Sequence, residues 1–149
     1  MKLAKALKLK NQIAGEVARL KELLSKQNVR STKQPFDYNN VEVLASLRGK
    51  IDELVKTKAA IATANAEVYD KIFRLAELKG LVAVLSDLDT RQGEYHERGG
   101  GYGEQPVAVE YAAQLKAVEV DKLVTDLKAE IQSLQDSLDE FNYTHSAAL

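Results

Sequence analysis

Between Leu44 and Asp89 the chain returns to one line at alternate steps of three and four residues: Leu44, Leu47, Ile51, Leu54, Lys58, Ile61, Asn65, Val68, Ile72, Leu75, Lys79, Val82, Ser86 and Asp89. Most of these positions are aliphatic, and their neighbours are mostly Ala or charged. That spacing is the seam of an amphipathic helix in a coiled coil or narrow bundle. A second seam, Leu9, Ile13, Val17, Leu20 and Leu24, continues N-terminally through Leu3 and Ala6 or Leu7 and predicts a helix over about 2–28. A third, Leu115, Val118 or Val120, Leu123, Leu127, Ile131, Leu134, Leu138 and Phe141, predicts a helix over about 109–141.

Punctuation divides the rest. Asn28 suits a left-handed helix stop, with Lys26 in the last turn. Gly15 costs that helix a little stability or lets a neighbouring backbone approach. The polar stretch with Pro35 reads as a loop, and Asn39 with Glu42 offers a capping box for the next helix. No Gly or Pro forces a break at 62–67, but Thr63 or Asn65 can cap a new helix with Glu67 in its first turn. Unbroken, 40–89 is a rod of about 50 residues, roughly 75 Å long. Divided into helices over about 40–62 and 67–89, it makes four helices of similar length that pack better, and a hairpin is preferred. The stretch 91–106, with Gly99-Gly100-Gly101-Tyr102-Gly103, reads as the mobile loop, and Pro106 with Glu110 as the start of the last helix. The expected fold is all-α: long antiparallel helices in a coiled-coil-like bundle, four of them, or three if 40–89 is continuous.

Composition agrees. With aromatics at 6% and only 2 Pro, the chain suits long helices and not a sheet. Its 149 residues suggest one domain, 1–149. No Cys means no disulfide and no zinc–thiolate site. The opening residues alternate Lys with apolar side chains, unlike a signal peptide, and no run spans a bilayer, so a cytoplasmic protein is expected. Charge is uneven. Residues 1–35 hold nine Lys or Arg and two Glu, and residues 104–149 hold three Lys and nine Asp or Glu. The first and last helices should therefore attract one another, within one subunit or across a boundary.

Catalytic patterns are absent. His96, in Gly93-Glu94-Tyr95-His96-Glu97-Arg98, has carboxylates beside it but no second His in range; His145 lies in the tail. A di-iron bundle needs Glu three residues before each His, and here those positions hold Gly93 and Asn142. Asp52-Glu53, Asp87/Asp89 and Asp139-Glu140 read as solvated faces. The Gly-rich loop ends in Glu104-Gln105-Pro106, which repels phosphate where a Walker loop carries Lys. No catalytic residue, cofactor or metal is assigned. The alternative of an enzyme or metal site under the Gly-rich loop rests on His96 alone. Lys2, Lys5, Lys8, Lys10, Arg19 and Lys21 form a basic surface suited to RNA, resembling in outline the helical arm of seryl-tRNA synthetase. No aromatics are interleaved to stack on bases, so nucleic acid is the second reading. Lys58, Asn65 and Lys79 either reach water from the seam or fix the register of an oligomer.

The opening Met-Lys-Leu-Ala-Lys-Ala-Leu-Lys-Leu-Lys-Asn-Gln-Ile and the close Asp139-Glu140-Phe141-Asn142-Tyr143-Thr144 resemble a family of small bacterial helical proteins labelled septicolysin. Ile61-Ala62-Thr63-Ala64-Asn65 and Leu75-Ala76-Glu77-Leu78-Lys79 match it more loosely. Tyr143 stands where the family usually has Trp, and the segment after Asn65 is shorter. The resemblance implies an all-α fold without an assigned activity. Its label names a pore-forming toxin, which the absence of a membrane-inserting segment argues against here.

The expected function is non-enzymatic self-association as a homo-oligomeric structural or protein-interaction module, with another protein as a further partner. Leu20, Leu24, Leu47, Ile51, Leu54, Ile61, Leu127, Leu134 and Leu138 are the expected helix-packing or oligomer seam.

Overall fold

A computed structural model describes residues 1–103 and 105–149. It is mostly helical, with four α-helices and one two-stranded sheet among the described residues. The order is α1 (Leu3–Lys26), α2 (Asn40–Ala64), a short 3-10 turn (Ala66–Val68), α3 (Tyr69–Ser86), β1 (Gly93–Glu97), β2 (Val107–Tyr111) and α4 (Ala117–Thr144). No helix is long and apolar enough to cross a membrane among the described residues. Contacts group the chain into two compact units, one of Met1–Tyr69 with Leu138–Leu149, the other of Asp70–Ser137.

In the first unit α1 packs on α2. Ile13, Val17 and Leu20 bury themselves with Leu47, while Leu9, Leu23, Leu24, Val43 and Leu54 close round them. A second cluster joins Leu3, Ala6, Ile61 and Ala147, with Leu7, Ala60, Ala64 and Phe141 against it. The start of α1 thus meets the end of α2, and the end of α1 meets the start of α2. Backbone bonds add the last residues to this cluster. Leu3 N–H donates to the His145 carbonyl at 3.0 Å, and Ala147 N–H donates to the Met1 carbonyl at 2.8 Å.

The helix ends follow local chemistry. Asn39 is the N-cap of α2, its side-chain oxygen accepting from Val41 N–H at 2.9 Å, with Glu42 in the first turn where the helix dipole favours it. α1 stops at Lys26, two residues before the expected Asn28. The chain leaves through Gln27 at φ −132°, ψ 37°, and no described non-Gly residue has positive φ. The left-handed stop is therefore not used. Side chains take its place: Tyr38 donates to the Leu23 carbonyl and Asn40 to the Leu24 carbonyl, covering two orphan acceptors of the last turns.

The break at 62–67 takes a particular form. Asn65 (φ −82°, ψ −1°) and Tyr69 (φ −60°, ψ −35°) both stay in the right-handed region, and the 3-10 turn lies between them. Asn65 alone separates α2 from this 3-10 turn, and the expected side-chain cap is not made: Asn65 caps nothing with its side chain, and the Thr63 hydroxyl donates back to the Ala59 carbonyl at 3.1 Å. The Asn65 amide oxygen is shielded here without a protein donor among the described residues.

Two expectations fail between 91 and 116. Residues 91–106, read as a mobile loop, contain β1. Residues 107–111, read as the first turns of the last helix, form β2, and α4 begins only at Ala117. Val107, Val109 and Tyr111 alternate with period two and are β-branched or aromatic, a strand pattern that outweighs the helix-start reading of Pro106. The fold is therefore not purely α. The α4 N-terminus is instead marked by Glu119, which accepts from Lys116 N–H at 3.3 Å.

Two substitutions probe these assignments. Gly15 lies mid-helix with open space where a Cβ would go. Gly15→Ala should raise unfolding free energy by about 0.5–1 kcal/mol. Leu3 is 0% exposed in its cluster. Leu3→Ala should cost about 2–5 kcal/mol. Urea titrations followed by circular dichroism measure both. A loss at Gly15, or a neutral result at Leu3, would contradict the packing.

Candidate interaction surfaces

The α1–α2 contact uses a stripe displaced from the expected seam. On α2 the packed positions are Val43, Leu47, Lys50, Leu54, Thr57 and Ile61, again at steps of three and four. Thr57 is only 3% exposed; its hydroxyl donates to the Glu53 carbonyl at 2.8 Å, so burial leaves no unmet polar group. Lys50 lays its stem along the packed face and turns its ammonium to Glu16 at 3.0 Å and Glu53 at 2.9 Å. Bonds from Lys50 and from Gln12 hold the Glu16 carboxyl below its ordinary range. Within this unit Leu20, Leu47, Ile61 and Leu138 are buried, Leu24 and Leu54 are half-buried, and Ile51 is exposed. In the other unit Leu127 and Leu134 are half-buried.

α1 therefore covers one side of the α2 seam and leaves the other bare. Val41 (78% exposed), Leu44, Arg48, Ile51, Val55 (61%) and Lys58 form a second three-four stripe facing solvent. Sequence reading merged the two stripes, because Leu44, Ile51 and Lys58 alternate with Leu47, Leu54 and Ile61. Val41 and Val55, absent from the merged seam, were the residues that separate them.

α3 is barer still. Ten of its 18 residues are Ile, Leu, Val, Ala or Phe, yet none is buried. Ile72, Leu75, Leu78, Val82 and Leu85 are half-covered. This is the side with partners on α4: Lys71 Nζ donates to Ser137 Oγ at 2.8 Å, Arg74 pairs with Glu130 at 2.6 Å, and Leu85 shares a recess with Val120 and Val124. Leu81 (43%) and Val84 (63%) are exposed, and Gly80 beside Leu81 faces open space.

The basic surface is present without its expected counterpart. Lys5, Lys8, Arg19 and Lys21 are exposed and Lys10 is half-buried. Lys2 donates to the Thr144 carbonyl at 2.8 Å. Among the described residues none of these six cations forms an ion pair. At the start of α1 and the end of α4 the bonds run to carbonyls, from the Lys2 ammonium to Thr144 and from Leu3 N–H to His145.

The sheet pairs β1 with β2 antiparallel, Tyr95 opposite Val109 and Glu94 opposite Glu110. Arg91 organises one face. Its guanidinium lies 4.0 Å from the Tyr111 ring centre and 6.0 Å from that of Tyr95, reaches Asp89 at 2.7 Å and touches Glu97 at 3.3 Å. Tyr111 donates its hydroxyl to Glu97. The Arg91 bonds hold the Asp89 carboxyl below its usual range, and accepting the phenol bond leaves Glu97 holding the Tyr111 proton above its usual range. His96 projects from β1, mostly exposed and 3.8 Å from Glu94. Among the described residues no group of three or more His, Asp or Glu is gathered as a metal site. No family model, curated protein or solved structure matches the chain.

A two-stranded sheet this small is marginal alone, so its order should rest on Arg91. Arg91→Gln should erase amide-exchange protection over 93–97 and 107–111 while leaving α1 and α2 protected. Because the folded Asp89 carboxyl is depressed, its contribution is present above the unfolded aspartate range and lost as pH falls through the folded value. Protection of the strands should decline on acidification, and Arg91→Gln should flatten that response. Unchanged protection in the variant would refute the clamp.

Proposed function

We propose that this chain is a non-enzymatic, self-associating helical protein, a structural or protein-interaction module whose helices pair antiparallel in a coiled-coil-like bundle and which works in the cytoplasm. One observation carries the reading: α3, largely apolar, buries no residue. A helix with apolar residues around most of its circumference is ordinarily enclosed. The exposed α2 stripe points the same way. So does total surface: 11024 Å² is exposed, above the roughly 9,100 Å² expected from two separate compact domains of half this mass each. Enclosing the bare faces in an oligomer supplies the missing burial.

The resemblance to septicolysin-like proteins is compatible with this reading through its helical fold and carries no activity to it. A second reading, RNA binding by the α1 cations, rests on Lys5, Lys8, Arg19 and Lys21 being exposed without ion-pair partners among the described residues. It requires retention on RNA that falls steeply with added salt.

Sedimentation velocity across the micromolar range tests the first reading. The expected result is a mass that rises with concentration and a Val84→Glu variant whose association is weaker by about tenfold or more. A strictly monomeric protein at every concentration would overturn it.

A further inference from the structure

The two bare stripes carry opposite charges at matching intervals. On α2 the exposed line runs Leu44, Arg48, Ile51, Val55, Lys58; on α3 it runs Glu77, Gly80, Val84 and is continued by Asp87, one residue past the helix end, whose N–H donates to the Ala83 carbonyl at 3.3 Å. Arg48 and Lys58 are ten residues apart, as are Glu77 and Asp87. All four are exposed, and none has an ion-pair partner among the described residues. The contrast with the covered sides is direct, since Lys50 there meets Glu16 and Arg74 meets Glu130.

Resting on the self-association reading, we infer that the exposed stripe of α2 docks on the exposed stripe of α3 in a second copy of this chain. Equal spacing lets one register satisfy both charge pairs whichever way the two helices run. Parallel, Arg48 meets Glu77 and Lys58 meets Asp87, with Ile51 on Gly80 and Val55 on Val84. Reversed, Arg48 meets Asp87 and Lys58 meets Glu77, with Ile51 on Val84 and Val55 on Gly80. In both cases aliphatic side chains sit between the two ion pairs. Gly80, where a Cβ would meet nothing within 4 Å, leaves room for the side chain opposite. The flanking charges choose the partner, as they do in coiled coils, and oppose each stripe pairing with its own kind. In a two-fold pair the contact is made twice.

Charge reversal tests the pairing. One variant carries Arg48→Glu and Lys58→Glu, the other Glu77→Lys and Asp87→Lys. All four positions are exposed, and unchanged circular dichroism establishes that the helices remain. Each variant alone sets like charges together at both contacts and should associate about tenfold or more weakly than the parent. Mixed in equal amounts, the two restore opposite charges at every contact, and association should return to within about threefold of the parent. Added salt should weaken the parent and the mixture alike. Two variants that associate like the parent, or a mixture that fails to recover, would overturn this pairing while leaving self-association standing. A parent that is monomeric throughout would remove both.

Discussion

The structure depends on how much of α2 one neighbour can cover. A helix presents apolar residues on steps of three and four, and a single packed partner occludes roughly one such line. α2 carries two. α1 takes Val43, Leu47, Leu54, Thr57 and Ile61 and in doing so buries Ile13, Val17 and Leu20. Val41 and Val55 stay mostly open, and Leu44 and Ile51 are only partly covered. The packed line tolerates two polar residues because each satisfies itself: Thr57 through the carbonyl one turn back, Lys50 through carboxylates at the rim.

The termini of α1 and α2 are governed by hydrogen bonding more than by greasy contact. The last carbonyls of α1 are met by Tyr38 and Asn40, and the connecting loop is braced by Gln27 and Arg30 on Asp37. Every one of these partners is polar, which is why a segment with one Pro and few apolar residues holds a definite path. At the other end, residues 1–3 and 145–147 exchange backbone bonds over Leu3, Ala6 and Ala147. The Lys2 ammonium adds a bond to the Thr144 carbonyl beside them.

Much of this was legible in residue order. The α1 seam and the Asn39 cap are written in spacing and cap chemistry, whereas the turn near Asn65 forms without the side-chain cap that Thr63 or Asn65 offered. The strands were missed because Pro106 and Glu110 imitate a helix start, while a five-residue alternation is too short to compete unless sought. Thr57 was missed because its hydroxyl finds a partner only once the helix exists. The candidate surface was half legible. Leu44 and Ile51 were named in the seam, but which side of that seam a neighbour would occupy follows from three-dimensional packing and not from periodicity. The α1 cations were found by composition alone; that they form no ion pair among the described residues was not, since net charge says nothing of distance.

Arg91 sits outside both strands, between the end of α3 and the first residue of β1, yet it touches both rings and both acids that shape the sheet face. The two strands are consequently not a transferable cassette. Any excised peptide or graft meant to keep their shape has to begin upstream of Asp89, and a cut placed at the apparent strand boundary discards the residue on which the hairpin is built.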